Sequence, residues 1–290
     1  MYQYQQFAIL LRGGGDIATG IALRLYRSGF RRLIILETAH PMAVRRRVAF
    51  SEAVYEGLCT VEGITAALAP RPEEIAPLWD AGCIPVMVDP QGVTIPASAP
   101  KSSLSHARQT ERRRRHHRRA SRHRRGARLH RGRKCPLHRR NQPGAQPRTG
   151  PYSGSAEPDT GIPGDIVGMT TERVLRAPRT GIFLSRHDIG TTSKAGDVVA
   201  TVEANGVSRE IRTVISGVIR GLLRSGTPVT DRIKVGDVDP RDNTACHHVS
   251  DKAFAIGGGI LEAILGRFNR PCYIRRGILH CPVDKNVPTA

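Results

Sequence analysis

Residues 7–37 read FAILLRGGGDIATGIALRLYRSGFRRLIILE. The apolar run 7–11 ends at a turn of glycines, and apolar residues then recur at helical spacing from Ile17 to Gly29. A second apolar run, 33–36, ends at Glu37. This order predicts a strand, a glycine turn, a helix and a second strand, which together begin an α/β protein with a parallel sheet.

The turn matches the dinucleotide-binding fingerprint, with Gly13, Gly15 and Ala18 at its three small-residue positions. The first glycine permits the tight turn, the second lets a phosphate approach the backbone, and the helix start offers N–H groups to it. Glu37 follows at the distance where an acid accepts hydrogen bonds from a ribose. The pattern favours NAD(P) or another nucleotide as cofactor. The alternative is a Rossmann-like turn that binds no nucleotide, in which Asp16 caps the helix.

Residues 1–99 are predicted to form a Rossmann-like but incomplete region. Residues 73–81 predict a helix and residues 84–88 a strand, which ends at Asp89 before a proline. Asp89 is either functional or a turn former. The segment 41–47, which contains three consecutive arginines, either binds an anion or is a solvated loop.

Residues 100–152 have a different composition. Within 101–150 there are 18 Lys and Arg against one acid, whereas the other 240 residues hold 27 basic and 24 acidic residues. Three interpretations compete: a nucleic-acid-binding arm, a disordered solvated insert, and a segment translated out of frame. We favour the third, because one codon choice for residues 116–132, read one base later, encodes an apolar strand and a Gly-Pro-Gly turn. As written, the segment is predicted to be disordered.

Residues 153–250 predict a duplicated β module. Gly181, Gly190 and the segment 196–198 recur as Gly217, Gly226 and 236–238, with offsets of 36, 36 and 40. Residues 198–202 and 211–215 read as strands. Two such units resemble a biotinyl/lipoyl-like sandwich, whose hairpin normally carries the modified lysine. The corresponding hairpin, 203–207, contains no lysine, so we interpret the module as structural or partner-binding.

Residues 251–290 are predicted to form a glycine-rich turn, a helix over 260–265 and a loose tail. Gly257, Gly258 and Gly259 form either a second phosphate cradle or a close-packing turn. No pattern typical of a metal site or of nucleophilic catalysis is present, so the catalytic residues are unknown. Without a long apolar run, a secretory leader or a paired-cysteine pattern, the expected location is the cytoplasm.

Seven blocks together resemble the YqeB family: RGGGDIATGIALRLYRSGF, PMAVRRRVAFSEAVYEG, IPVMVDP, GSAEPDTGIPGDIVGMTTERVLRAP, SGVIRGLL, KVGDVDPR and SDKAFAIGGGILEAIL. They lie within 7–93 and 153–265. The resemblance implies an accessory protein for maturation of selenium-dependent molybdenum hydroxylases, with such a hydroxylase or its maturation proteins as partner. It places Gly13, Gly14, Gly15 and Asp16 on the nucleotide turn and Gly257–Gly259 on a second glycine site. The departure at 100–152 puts part of the sheet in doubt.

Two other functions stay open at this point. An NAD-dependent oxidoreductase would use the same glycine turn, although no acid/base residue is identified for it. A nucleic-acid-binding protein would act through the arginine-rich segment, but that segment lacks the interleaved aromatic residues that stack on bases.

Overall fold

The computed structural model describes residues 8–93, 163–241 and 246–268, together with the backbone of the strands Tyr273–Arg275 and Ile278–His280. The predictions for the arginine-rich segment 100–152, and any strands it would encode in another frame, lie outside the described residues. So does most of the predicted loose tail.

The first unit is a five-stranded mixed sheet flanked by helices. Its strands run in the order β1-β2-β5-β4-β3, with β1, β2, β5 and β4 parallel and β3 antiparallel to β4. The strands are β1 (Ile9–Arg12), β2 (Leu33–Glu37), β3 (Leu58–Val61), β4 (Ile64–Leu68) and β5 (Ile84–Val88), and the helices are α1 (Asp16–Arg27), α2 (Ala53–Glu56) and α3 (Ile75–Asp80). The predicted α/β class is confirmed, while the sheet is mixed rather than purely parallel.

Apolar periodicity explains the strand–helix–strand start. Ile9 and Leu11 on β1 and Ile21 and Leu25 on α1 are at most 1% exposed. Burying each such side chain contributes about 1.5–3 kcal/mol, so the face that the sequence pattern marks as apolar is the face that α1 packs on the sheet.

Helix α4 (Asp251–Phe268) completes this first core, although the chain reaches it only after the β module. Ala253, Ile256, Ile260 and Ile264 are buried in the same apolar cluster as β1 and α1. The separate region predicted from residue 251 is therefore packed into the N-terminal unit. Ser250 directly precedes the helix, and its hydroxyl accepts the Ala253 N–H at 3.3 Å, a typical N-cap contact.

The predicted turn at Gly257, Gly258 and Gly259 is wrong, because all three lie inside α4. Gly257 faces α1, where a Cβ would lie 3.0 Å from Arg24 Cβ and 3.2 Å from the Gly20 carbonyl. The glycines allow two helices to approach closely. Inside a helix their N–H groups are directed at preceding carbonyls rather than at a ligand, so a phosphate cradle of the predicted kind is not formed there.

The second unit, the β module, is built from two four-stranded antiparallel sheets. Their orders are β10-β9-β7-β12 and β6-β13-β11-β8. The strands are β6 (Val174–Arg176), β7 (Gly181–Ser185), β8 (Thr192–Ser193), β9 (Val198–Ala204), β10 (Val207–Arg212), β11 (Gly217–Leu222), β12 (Thr227–Val229) and β13 (Lys234–Asp239). The backbone also forms a separate two-stranded ladder of β14 (Tyr273–Arg275) and β15 (Ile278–His280).

The two halves of the β module repeat with a constant offset of 36 residues. The Gly190 N–H donates to the Ile219 carbonyl, and the Gly226 N–H donates to the Phe183 carbonyl. Likewise Gly196 N–H donates to Thr213, and Arg232 N–H donates to Ala177. Within each pair of hydrogen bonds, the donor of the second bond lies 36 residues after the donor of the first, and its acceptor lies 36 residues before the acceptor of the first. The predicted duplication is therefore present as a two-fold exchange of contacts.

The third predicted match, with an offset of 40, is wrong. Gly196 precedes β9 and has a φ of 91°, whereas Gly236 lies inside β13. The structural counterpart of Gly196 is Arg232, which also has a positive φ, of 62°. A shared Gly-Asp-Val tripeptide produced a false alignment of the sequence, because the turn conformation is kept while the glycine is not.

The predicted hairpin after β9 is present. Ala204 pairs with Val207, so Asn205 and Gly206 form a two-residue turn, with φ values of 51° and 72°. Asn-Gly with both φ positive is the type I′ hairpin turn. The prediction of a strand over 211–215 holds only to Arg212, where β10 ends.

Among the described helices, none combines the length and apolar character that crossing a membrane would require.

Candidate functional site

The glycine turn, residues Gly13 to Asp16, joins the carboxyl end of β1 to the start of α1. Gly13 continues the strand pairing by donating its N–H to the Leu36 carbonyl at 2.7 Å, and its φ is 89°. Gly15 is the N-cap residue of α1 and Asp16 its first residue. The turn therefore has the strand-to-helix position that its sequence predicts.

Gly14 is buried against the segment that precedes α2. A Cβ on Gly14 would lie 2.8 Å from the Ser51 nitrogen, whose N–H donates to the Gly14 carbonyl at 2.9 Å. The same carbonyl accepts the Thr19 hydroxyl at 3.1 Å, and Thr19 Oγ1 in turn accepts the Phe50 N–H at 2.9 Å. Gly14 thus holds the turn against its support and is not open to a ligand.

Gly15 is the open residue of the turn. A Cβ built on it meets no atom within 4 Å, and no side chain caps the helix start. The interpretation of Asp16 as a cap is wrong, since the cap position is one residue earlier. The first-turn N–H groups of a helix have no partner within that helix, so the approach over Gly15 leads to hydrogen-bond donors and to the positive end of the helix dipole.

Glu37 contacts the turn directly. One carboxylate oxygen accepts the Gly14 N–H at 3.1 Å, and the other accepts the Thr38 N–H at 3.2 Å. Burial raises the pKa of Glu37 above its ordinary value, against the lowering effect of these backbone hydrogen bonds. Glu37 therefore orients the turn through its hydrogen bonds to the backbone.

Asp89, at the end of β5, is a turn former. Its Oδ1 accepts the N–H groups of Gly92 at 2.8 Å and Val93 at 3.1 Å. Arg12 closes the same edge by donating to the Gln91 carbonyl at 3.0 Å. Of the two readings of Asp89 that the sequence left open, these contacts support the structural one.

The glycines 257–259 of α4 do not lie beside the glycine turn. Gly257 contacts α1 at Gly20, Ile21 and Arg24, whereas the glycine turn ends at Asp16, the first residue of that helix. The predicted site residues therefore divide into the turn with Glu37, which lie together, and Gly257–Gly259, which lie inside α4, where Gly257 packs on α1.

The arginine loop, residues 41–48, is fixed by hydrogen bonds and is not the solvated loop of one sequence interpretation. It joins the first unit to the β module. Arg46 donates to the Leu222 carbonyl at 2.8 Å and to Asp188 at 3.0 Å, and Arg47 donates to Asp188 at 3.3 Å. A further contact comes from Arg224, which pairs with Glu52 at 2.7 Å and Glu56 at 2.6 Å. Among the described residues, four guanidinium–carboxylate contacts thus connect the two units.

A charged cluster lies along β13. Asp239, whose side chain is fully buried, accepts two hydrogen bonds from the Arg241 guanidinium, at 2.8 and 2.7 Å, a third from the Arg241 backbone N–H at 3.1 Å, and one from Arg220 at 3.2 Å. Asp237 pairs with Arg173 and with Lys234. Sequence analysis missed this cluster, because its three arginines, Arg173, Arg220 and Arg241, come from three different segments and no local motif links them.

The carboxylate of Asp239 predicts a pH effect. Burial opposes its ionisation, but the hydrogen bonds and charge of Arg241, with the charge of Arg220, lower the pKa of Asp239 from 3.8 to about 2. A depressed folded-state pKa stabilises the fold above the unfolded value, and that stability is lost as pH falls through about 2. Asp239→Asn is expected to lower the unfolding free energy at pH 7 by about 2 kcal/mol.

Urea unfolding at several pH values measures the contribution of the Asp239 carboxylate to the unfolding free energy. The difference between wild type and Asp239→Asn should shrink between pH 4 and pH 2, whereas the exposed Asp231→Asn should stay close to wild type throughout. A difference that does not change with pH would contradict the assignment.

In the part of the chain that the structure describes, no three His, Cys, Asp or Glu side chains are arranged to hold a metal ion.

The chain is similar in sequence to a curated bacterial protein. The chain is 41% identical over 259 residues to the "uncharacterized protein YqeB" of Escherichia coli strain K12. The alignment covers 89% of this chain and 47% of that protein, so the chain spans about half the length of the curated relative it matches. This similarity supports the relationship to the YqeB family. No family model matches the chain.

Similarities to solved structures are local. An aspartoacylase family protein from Mesorhizobium loti is 25% identical, with 23% of each chain covered and a TM-score of 0.22. The product-bound ectoine utilization protein EutE from Ruegeria pomeroyi is 18% identical over 30% of this chain and 27% of that one, with a TM-score of 0.23. Similarities of this extent define neither a shared fold nor a shared activity.

Proposed function

We propose, from its relationship to the YqeB family, that the chain is an accessory factor in maturation of selenium-dependent molybdenum hydroxylases and binds a nucleotide or other phosphate-bearing ligand at the glycine turn. The observation that carries the ligand proposal is the uncapped start of α1 under the open Gly15. Backbone N–H groups and the helix dipole make such a start favourable for phosphate.

Glu37 supports a nucleotide in particular. It lies at the carboxyl end of β2, next to the strand that leads into the turn, and is hydrogen-bonded to Gly14. In open α/β sheets, ligands bind at the carboxyl ends of the strands. A carboxylate there accepts hydrogen bonds from ribose hydroxyls while the turn holds the phosphates.

The partner half of the proposal rests on the β module. Its hairpin Asn205–Gly206 is exposed and lacks a lysine, so the module does not have the residue that a carrier hairpin modifies. We propose that this module contacts the hydroxylase or another maturation protein.

Gly15→Ala tests the ligand. Its φ of −64° and ψ of 179° suit alanine, and the added methyl group meets no protein atom. The unfolding free energy should change by no more than about 1 kcal/mol, while the methyl group occupies the approach of a phosphate. In calorimetric titrations with NAD, ATP and ADP on the full chain, we expect saturable binding of at least one nucleotide, weakened about tenfold or more by the substitution, since tenfold corresponds to 1.4 kcal/mol.

Gly258→Ala is the matched control, because its Cβ meets only Arg24 Nη2 at 3.9 Å on another surface. Nucleotide binding should be unchanged in this variant. Absence of saturable binding by all three nucleotides, or equal weakening in both variants, would refute the ligand proposal.

The maturation role has its own test. A selenium-dependent molybdenum hydroxylase purified from cells that contain or lack this chain should differ in selenium content and specific activity, with equal amounts of hydroxylase protein. Identical preparations would refute the maturation role and leave the nucleotide measurement unaffected.

A further inference from the structure

A pair of arginines at the junction of the two units forms a second site with no assigned role. Arg45 comes from the arginine loop and Arg220 from β11. The loop is fixed to β11 by the Leu222 N–H, which donates to the Val44 carbonyl at 2.7 Å. Gly221 permits this approach, since a Cβ there would lie 2.8 Å from Val44 Cγ1 and 3.3 Å from Arg45 Cγ.

Arg220 occupies an irregularity of its strand. The pairing of β11 with β13 shifts register between Ile219 and Gly221, so Arg220 is the residue left out of the ladder. Bulges of this kind redirect one side chain and are frequent beside functional sites. The bulge and Gly221 together place the two guanidinium-bearing residues next to each other.

Both guanidinium groups keep buried donors without a partner. Arg45 uses Nη2 on the His248 carbonyl at 2.7 Å, and Arg220 uses Nη1 on Asp239. Nε and Nη1 of Arg45 and Nε of Arg220 are buried and have no hydrogen-bond partner among the described residues. A buried donor left unsatisfied costs about 1–3 kcal/mol, and more when it is charged, so such an arrangement favours a ligand that supplies acceptors.

The charges around Arg45 and Arg220 also favour a ligand that supplies hydrogen-bond acceptors. Burial and then the charge of Arg220 lower the pKa of Arg45, while Asp16 and Asp237 act in the opposite direction. Asp239 is already doubly hydrogen-bonded by Arg241, and Asp237 is shared by Arg173 and Lys234. Asp239 and Asp237 are therefore engaged by other cations, and repulsion between Arg45 and Arg220 remains.

We propose that Arg45 and Arg220 form a binding site for an oxyanion of the phosphate or sulfate type. Guanidinium groups present parallel donors that match two oxygens of such an anion. The bound anion accepts from the unpartnered N–H groups and screens one arginine from the other. The donors of this site belong to neither the glycine turn nor Glu37, although Asp16 at the start of α1 is close enough for its charge to act on Arg45.

Inorganic phosphate and sulfate are the probes, titrated into the full chain at constant ionic strength. Wild type should bind phosphate saturably, and Arg45→Gln and Arg220→Gln should each weaken binding about tenfold or more, since a hydrogen bond to a charged group is lost. Arg209→Gln, which removes the same charge at an exposed position of β10, should leave binding unchanged. Equal weakening in all three variants would overturn the site.

A second measurement requires no variant. Anomalous diffraction from wild-type crystals soaked in arsenate should place the arsenic within hydrogen-bond reach of both Arg45 and Arg220. An anion bound only over Gly15, or no saturable binding of either probe, would overturn the proposal. Gly15→Ala separates the two sites, because it should weaken nucleotide binding and leave inorganic phosphate binding as in wild type; joint loss would place the anion at the glycine turn instead.

Discussion

Alanine at Gly217 or Gly181 is expected to destabilise the β module more than any other single methyl group added to it. A Cβ on Gly217 would lie 2.2 Å from the Asp239 carbonyl oxygen, and one on Gly181 would lie 2.3 Å from the Glu203 carbonyl oxygen. Both neighbours are strand backbone, which moves only if the ladder moves. Gly217 also has a φ of 157°, which L side chains rarely adopt.

We expect each substitution to lower the unfolding free energy by about 3 kcal/mol, the upper end for overpacking. The two losses should be similar, because Gly181 with Glu203 and Gly217 with Asp239 are the same contact in the two repeats. Urea unfolding followed by circular dichroism measures both. Gly164→Ala is the control, since its Cβ meets no atom within 4 Å.

A loss below about 0.5 kcal/mol, the range of ordinary surface substitutions, would show that the strands do not approach this closely. Widely different losses at Gly181 and Gly217 would contradict the two-fold relation between the repeats.

The local part of the fold could be predicted from the sequence. The expected strand, turn, helix and strand over residues 7–37 match β1, α1 and β2 to within about two residues. Apolar spacing and the glycines determine these elements within a few residues of chain. The hairpin at Asn205–Gly206 was predictable for the same reason.

Long-range contacts could not be predicted in this way. Arg45 and Arg220 lie far apart in the chain, and the sequence around each residue contains no motif that indicates their contact. Ser51 and Thr19, which support the glycine turn, are ordinary polar residues in their own segments. The hairpin between β3 and β4 was missed although a signal existed, since Glu62 and Gly63 separate two short apolar runs and both have a positive φ.

The glycines of α4 misled the prediction for a physical reason. Glycine in a helix interior costs about 1 kcal/mol relative to alanine, so three in succession read as a turn. The intrinsic preference is outweighed by the contact with α1, which only small residues permit. The same residues therefore signal close packing when a partner helix exists, and the partner is encoded more than 200 residues earlier, at Gly20.

Replacing Gly20 by alanine tests this helix contact. We expect the substitution to destabilise the N-terminal unit, although alanine has a higher helix propensity than glycine. The new Cβ would lie 2.5 Å from Ala253 Cβ and 3.1 Å from the Ala253 carbonyl carbon. Alanine gains about 1 kcal/mol over glycine in a helix, but forcing α4 away from α1 costs more, because Ala253, Ile256 and Ile260 are buried in the shared core. We expect a net loss of about 2 kcal/mol.

Gly258→Ala separates propensity from packing on the same pair of helices. Its Cβ has only Arg24 Nη2 nearby, at 3.9 Å, so the propensity gain should appear alone and raise the unfolding free energy by about 0.5–1 kcal/mol. Opposite signs for Gly20→Ala and Gly258→Ala in urea unfolding are the expected result. If both substitutions stabilise the protein, α4 does not pack on α1 through these glycines, and the assignment of the last described helix to the first core fails with it.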